Sequence, residues 1–153
     1  MASGTGACQV SKEGAQCNGS LSILLAEDDP TNQIITLLML RKLGHDADLA
    51  VNGYEVLTAL EYRSYDLVLM DIQMPEMDGI EATRIIRKRW PHGPRIVFVT
   101  ACTYCKETCM NEGGDVFLAK PINIVELQAA IAHNSSLRRC SLAQIMIQET
   151  GKI

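Results

Sequence analysis

"LSILLAEDDPTNQIITLLMLRKLG", residues 21–44, carries an aliphatic run straight into three consecutive carboxylates, Glu27, Asp28 and Asp29, and then into Pro30. A short apolar run closed by turn-forming residues reads as a buried strand. Asp29 directly before Pro30 reads as a helix start, with the aspartate as N-cap and proline at the first helical position. The apolar residues that follow continue to Leu43, and Gly44 is the expected stop. Leu37, Leu38, Met39 and Leu40 are read as core and helix-face residues of that helix. The stretch is therefore one strand–turn–helix unit with an acidic turn.

The same grammar repeats downstream. Buried-strand candidates are "LSILLA" (21–26), "DADLAV" (46–51), "DLVLMD" (66–71), "RIVFVT" (95–100) and "DVFLA" (115–119). The intervening patterns predict helices over Pro30–Leu43, Gly53–Arg63, Gly79–Trp90, Tyr104–Glu112 and Ile122–His133. Most of the strands lack polar alternation, as expected when helices cover both faces of a sheet. Five such units predict an α/β fold, a doubly wound (βα)5 architecture with a five-stranded parallel sheet in the order 2-1-3-4-5. Residues 1–20, rich in Gly, Ala and Ser, read as a disordered linker, and 134–153 as a tail or helix extension after the break at "NSS".

Composition narrows the function. A chain of 153 residues that is 47% hydrophobic fills one core. A formal charge of -4 offers no general attraction to nucleic acid. The longest apolar run, "IITLLML", is far short of the ~20 residues that span a bilayer, and no signal-peptide pattern follows Met1. A cytoplasmic protein that does not insert into membranes, monomeric or weakly dimeric, is the expectation. Six cysteines at positions 8, 17, 102, 105, 109 and 140 have irregular spacing, so reduced thiols are expected rather than a disulfide framework.

In sheets of this kind ligands bind beyond the carboxyl ends of the strands. Those positions hold Glu27 and Asp28, Asp71, Thr100 and Lys120; nothing comparable follows the second strand. Two charges ~4 Å apart repel by about 4 kcal/mol at an effective dielectric near 20, so the carboxylates call for a cation. Few hard oxygen ligands suit Mg²⁺, which commonly shares its shell with phosphate oxygens.

With these residues assembled, the sequence resembles a response-regulator receiver domain over residues 21–133, most closely the receivers of hybrid histidine kinases. The resemblance rests on "LLAEDDPTNQ", "DLVLMDIQMPEMDGIEATRIIR", "VTA" and "LAKPI", in that order. It implies a flavodoxin-like fold and a two-component or phosphorelay function, in which a histidine kinase or histidine phosphotransfer protein passes a phosphoryl group to Asp71. By the same resemblance Asp28, Asp71 and the Gln73 backbone carbonyl would ligate Mg²⁺ or Mn²⁺, with Glu27 acting through water. Lys120 would pair with the phosphoryl group, Thr100 and Phe117 would form the switch, and the Lys120–Pro121 bond would be cis. Gln73 and Cys102 occupy positions that set phosphoryl lifetime, and an amide with a thiol there implies a moderately long-lived state. The domain would catalyse its own phosphorylation without being an enzyme in the usual sense.

One departure falls in the fourth helix. Lys120 follows Thr100 by twenty positions, two fewer than the resemblance leads one to expect, which puts the usual output face in question. That segment also holds "CTYC", a C-x-x-C at a strand-to-helix junction, and Cys109. The competing reading is a receiver-like interaction module regulated without phosphorylation, through a redox-active or metal-binding Cys102/Cys105/Cys109 cluster; no further ligand stands at zinc spacing. His92 and His133 read as exposed helix-end residues, and "NGS" and "NSS" as accidental glycosylation matches.

Overall fold

A computed structural model describes residues 20–133; apart from Ser20, the expected linker and the tail lie outside the described residues. The elements are β1 (Ile23–Ala26), α1 (Pro30–Lys42), β2 (Ala47–Ala50), α2 (Gly53–Tyr62), β3 (Leu67–Met70) and α3 (Gly79–Arg89). They continue with β4 (Arg95–Thr100), a 3₁₀ turn (Thr103–Cys105), α4 (Lys106–Asn111) and β5 (Val116–Ala119). Residues 124–133 form a last helix, α5. All strands pair in parallel, in the order β2-β1-β3-β4-β5. The predicted topology is the observed one.

The unbroken apolar strands are explained by their two-residue period, which sends successive side chains to opposite faces. Leu24, Ala26, Val68, Met70, Ile96 and Phe98 face one core, closed by Val56 of α2, Ile86 of α3 and Cys109 of α4. Ile23, Leu25, Leu67, Leu69, Val97 and Val99 face the other, closed by Leu40 of α1 with Leu127 and Ile131 of α5. β2, at the sheet edge, exposes Asp48 and Leu49.

Leu37–Leu40 divide between core and helix face: Leu40 is fully buried, whereas Leu38 is 53% exposed, and Ile34 and Ile35 are also exposed. Residues ~100° apart around a helix cannot all face one sheet when four stand in succession. The fourth helix is shorter than Tyr104–Glu112, because a 3₁₀ turn takes its start and α4 ends at Asn111.

The helix start at Asp29 is as read. Its carboxylate accepts hydrogen bonds from the Thr31 and Asn32 amides at 2.8 and 3.1 Å, with Pro30 opening the helix. Asp29→Ala is expected to lose about 1 kcal/mol in urea unfolding, whereas Asp29→Asn stays within about 0.5 kcal/mol of the parent, since an amide oxygen caps equally well.

Candidate functional site

The parallel register delivers the site. Ala26 lies beside Met70 and Met70 beside Phe98, and the ladder runs on one step, with the Glu27 amide on the Ala50 carbonyl and the Asp71 amide on the Ala26 carbonyl, both at 3.0 Å. On the other side, Thr100 pairs with Ala119, and the Lys120 amide donates to the Thr100 carbonyl at 2.9 Å. Glu27, Asp71, Thr100 and Lys120 therefore project from one sheet edge by backbone geometry alone. Glu27, Asp71 and Thr100 are 3%, 6% and 1% exposed, and Asp28 is exposed.

Lys120 joins the two buried acids. Its Nζ donates to Glu27 Oε2 at 2.6 Å and to Asp71 Oδ2 at 2.9 Å. Burial pulls the ammonium toward neutrality, but the hydrogen bonds and charges of Glu27 and Asp71 outweigh it and raise the pKa above the ordinary lysine value. The stabilisation linked to the raised ammonium pKa is thus fully present at neutral pH and is lost as pH rises beyond the usual lysine range. One carboxylate oxygen from each of Glu27, Asp28 and Asp71 lies within 4.8 Å of the others. Three carboxylates against one ammonium leave a formal charge of about −2, which a divalent cation with oxygen preference matches.

The surrounding turns fix these groups. Glu27 Oε1 accepts the Asp29 amide at 3.1 Å, and the Gln33 side chain donates to the Glu27 carbonyl at 2.7 Å. In "MPEMDG", Asp78 caps α3 through the Glu81 amide at 2.8 Å, and Glu76 adopts a left-handed backbone with φ 68°. A Cβ at Gly79 would run into the Asp71 carbonyl, so the turn behind the acid requires glycine. Asn52, after β2, caps α2 and donates to Glu76 at 3.2 Å. Sequence reading passed over Asn52 and Gln33; the N-x-x-E pattern of "NGYE" was the available signal for the first, and none pointed to the second.

Other expected residues are placed as follows. The Thr100 hydroxyl accepts the Cys102 amide at 3.3 Å. Phe117 is half-buried beside the core around Phe98, Cys102 and Cys109. Gln73 lies in the β3–α3 loop with its side chain exposed, and the Lys120–Pro121 bond is cis. The expectation of reduced thiols fails at "CTYC": Cys102 and Cys105 are disulfide-bonded, with Cα atoms 5.7 Å apart, while Cys109 is a free, buried thiol. The composition argument addressed a framework across the chain, whereas a tight turn brings two cysteines three residues apart within bonding range.

Comparison with known proteins agrees with this site. The profile described as response regulator receiver domain matches residues 23–132. The aerobic respiration control sensor protein ArcB of Escherichia coli K12 is 38% identical over 115 residues, 73% of this chain and 15% of that protein. Histidine kinase 5 of Arabidopsis thaliana is 34% identical over 138 residues, 71% of this chain and 15% of that protein. The chain thus spans about 15% of the length of these two relatives. Among solved structures, the receiver domain of the sensor histidine kinase PA1611 from Pseudomonas aeruginosa PAO1, with a magnesium ion coordinated in its active site cleft, has a TM-score of 0.69 and 36% identity, covering 74% of this chain and 96% of that one. The chain belongs to the response regulator receiver domain family. It is a receiver domain of two-component and phosphorelay signalling, and its Glu27–Asp28–Asp71 cluster fits the phosphorylation site of that class.

Removing Lys120 leaves two buried acids facing each other. Lys120→Met is expected to lose about 3 kcal/mol in urea unfolding, and adding Asp71→Asn should recover part of that loss. Asp28→Asn, at an exposed position, should stay within about 0.5 kcal/mol.

Proposed function

We propose that Asp71 is the phosphoacceptor, taking a phosphoryl group from phosphohistidine on a histidine kinase or histidine phosphotransfer protein. The observation that carries this reading is the Lys120 ammonium shared by Asp71 and Glu27 at a sheet edge with an excess of carboxylates. Asp71 is the nucleophile: its oxygen forms the bond to phosphorus as the bond to the histidine nitrogen breaks. A carboxylate is ordinarily ionised at neutral pH, so no general base is needed. Lys120 stands ready to stabilise charge on the transferring group, and catalysis is mainly positioning and electrostatics.

Asp28, Asp71 and the Gln73 carbonyl are the groups to hold Mg²⁺, with Glu27 reached through water because both its oxygens are engaged, one by Lys120 and the other by the Asp29 amide. When bound, the ion offsets the carboxylate charge and that of the phosphoryl oxygens; Mn²⁺, with the same charge and oxygen preference, would serve at the same positions. Phosphorylation adds about 1.5 to 2 negative charges, to which the Thr100 hydroxyl and Phe117 respond as the switch. A full reversal from 1:99 to 99:1 needs about 5.5 kcal/mol, more than one hydroxyl bond and one strengthened ion pair supply, so a partner completes it. Cys102 offers no thiol to orient attacking water, since its sulfur is bonded to Cys105; this favours a moderately long-lived phosphoryl state, with Gln73 as the remaining polar side chain.

The partner's approach is suggested by the face of α1. Ile34, Ile35 and Leu38 are exposed there, and a cavity of about 340 Å³ lined by Asn32, Ile35, Thr36, Lys120, Pro121 and Ile122 adjoins the site lysine. A phosphohistidine-bearing domain seated on this apolar face would bring its imidazole to Asp71. No helix among the described residues is long and apolar enough to cross a membrane. This reading places the domain in the cytoplasm, as a monomer or weak dimer.

Intact mass after incubation with acetyl phosphate should show one phosphate adduct that requires Mg²⁺ and is absent from Asp71→Asn; an adduct that persists in the variant would refute the assignment. Ile35→Glu and Leu38→Glu should slow transfer from a phosphorylated histidine phosphotransfer domain that serves the parent chain, while labelling by acetyl phosphate is unchanged. Equal slowing of both reactions would remove the docking role.

A further inference from the structure

We propose that Cys102 and Cys105 are a reversible thiol–disulfide exchange site, and that the disulfide restrains the Thr100 response to phosphorylation; the second part rests on the phosphoacceptor reading of Asp71. The bond closes the 3₁₀ turn that leads from β4 into α4. Cys102 is joined directly to the switch position, because its amide donates to the Thr100 hydroxyl. Turning that hydroxyl toward a phosphoryl group on Asp71 stretches or breaks this hydrogen bond unless residues 101–105 move with it. A covalent ring across 102–105 narrows the backbone conformations open to that shift.

Little else holds the segment. Thr103 and Tyr104 are exposed, and α4 buries only Cys109. Reduction therefore leaves a turn anchored by the buried Cys102 and Cys109 side chains, with no covalent closure between residues 102 and 105. Exposure also orders the exchange: Cys105 is partly accessible and Cys102 buried, so an external reagent meets the Cys105 sulfur first. Burial pushes the Cys109 thiol up, keeping it protonated and a poor nucleophile, which among the described residues confines exchange to the pair.

The chemistry balances with a low-molecular-weight disulfide as oxidant. The Cys105 thiolate attacks one sulfur, expelling one thiol and leaving a mixed disulfide; the Cys102 thiolate then displaces the second thiol. Two electrons pass to the reagent and two protons leave with its thiols. A dithiol reductant runs the sequence backwards.

The test compares the whole chain equilibrated with glutathione disulfide or with dithiothreitol, each treated with acetyl phosphate and Mg²⁺. Alkylation and peptide mapping report the thiols, intact mass reports the adduct, and amide NMR shifts report residues 100–112. Both forms should carry the adduct. The reduced form should show phosphorylation-dependent shifts from Thr100 to Cys109, and the oxidised form should lose most of them. Cys105→Ser should behave as the reduced form in either buffer. Equal shifts in both forms, a redox difference that survives in Cys105→Ser, or Cys102 and Cys105 remaining thiols in glutathione disulfide would each overturn the proposal. An adduct absent from both forms would instead fail the phosphoacceptor reading, and the restraint with it.

Discussion

The ammonium of Lys120 lies within hydrogen-bonding distance of two buried carboxylates, and the arrangement of the sheet edge depends on that pairing. Glu27 and Asp71 come from adjacent strands and are almost wholly removed from solvent. Charges so placed repel strongly in a medium less polar than water, and the strand ends would be driven apart without a shared cation. Lys120 offsets part of this repulsion and leaves the rest as a negative field, with Asp28 at its solvent side.

Holding three acids there also constrains the backbone behind them. Gly79 packs where no side chain fits, against the Asp71 carbonyl. Asp29 and Asp78 cap α1 and α3 on either side, and Asn52 ties the start of α2 to Glu76 in the turn after β3. The three acidic residues of "AEDD" accordingly have separate uses: Asp29 satisfies helix amides, Glu27 is engaged by Lys120, and Asp28 remains open.

The opposite side of the site is built more lightly. Thr100 is buried, yet beyond it the chain passes through a 3₁₀ turn and a six-residue α4 that buries one cysteine. A disulfide between Cys102 and Cys105 contributes to holding that face. The exposed apolar residues of α1 lie on the other side of the sheet edge, so the two candidate surfaces for partner contact and for switching are distinct.

The sequence by itself determined the order of the elements, the parallel sheet and the identity of Glu27, Asp28, Asp71, Thr100 and Lys120, because apolar periodicity and strand-end position are local properties that survive without coordinates. Asp29 as a cap was equally legible, since capping involves residues two and three apart. Tertiary structure decided what local pattern cannot express: that Lys120 binds both Glu27 and Asp71 across 93 and 49 residues, that Leu38 faces out while Leu40 faces in, and that Asn52 reaches Glu76. It also decided the state of "CTYC", because a C-x-x-C fixes only the separation of two thiols along the chain, while bonding depends on the turn that brings their sulfurs together.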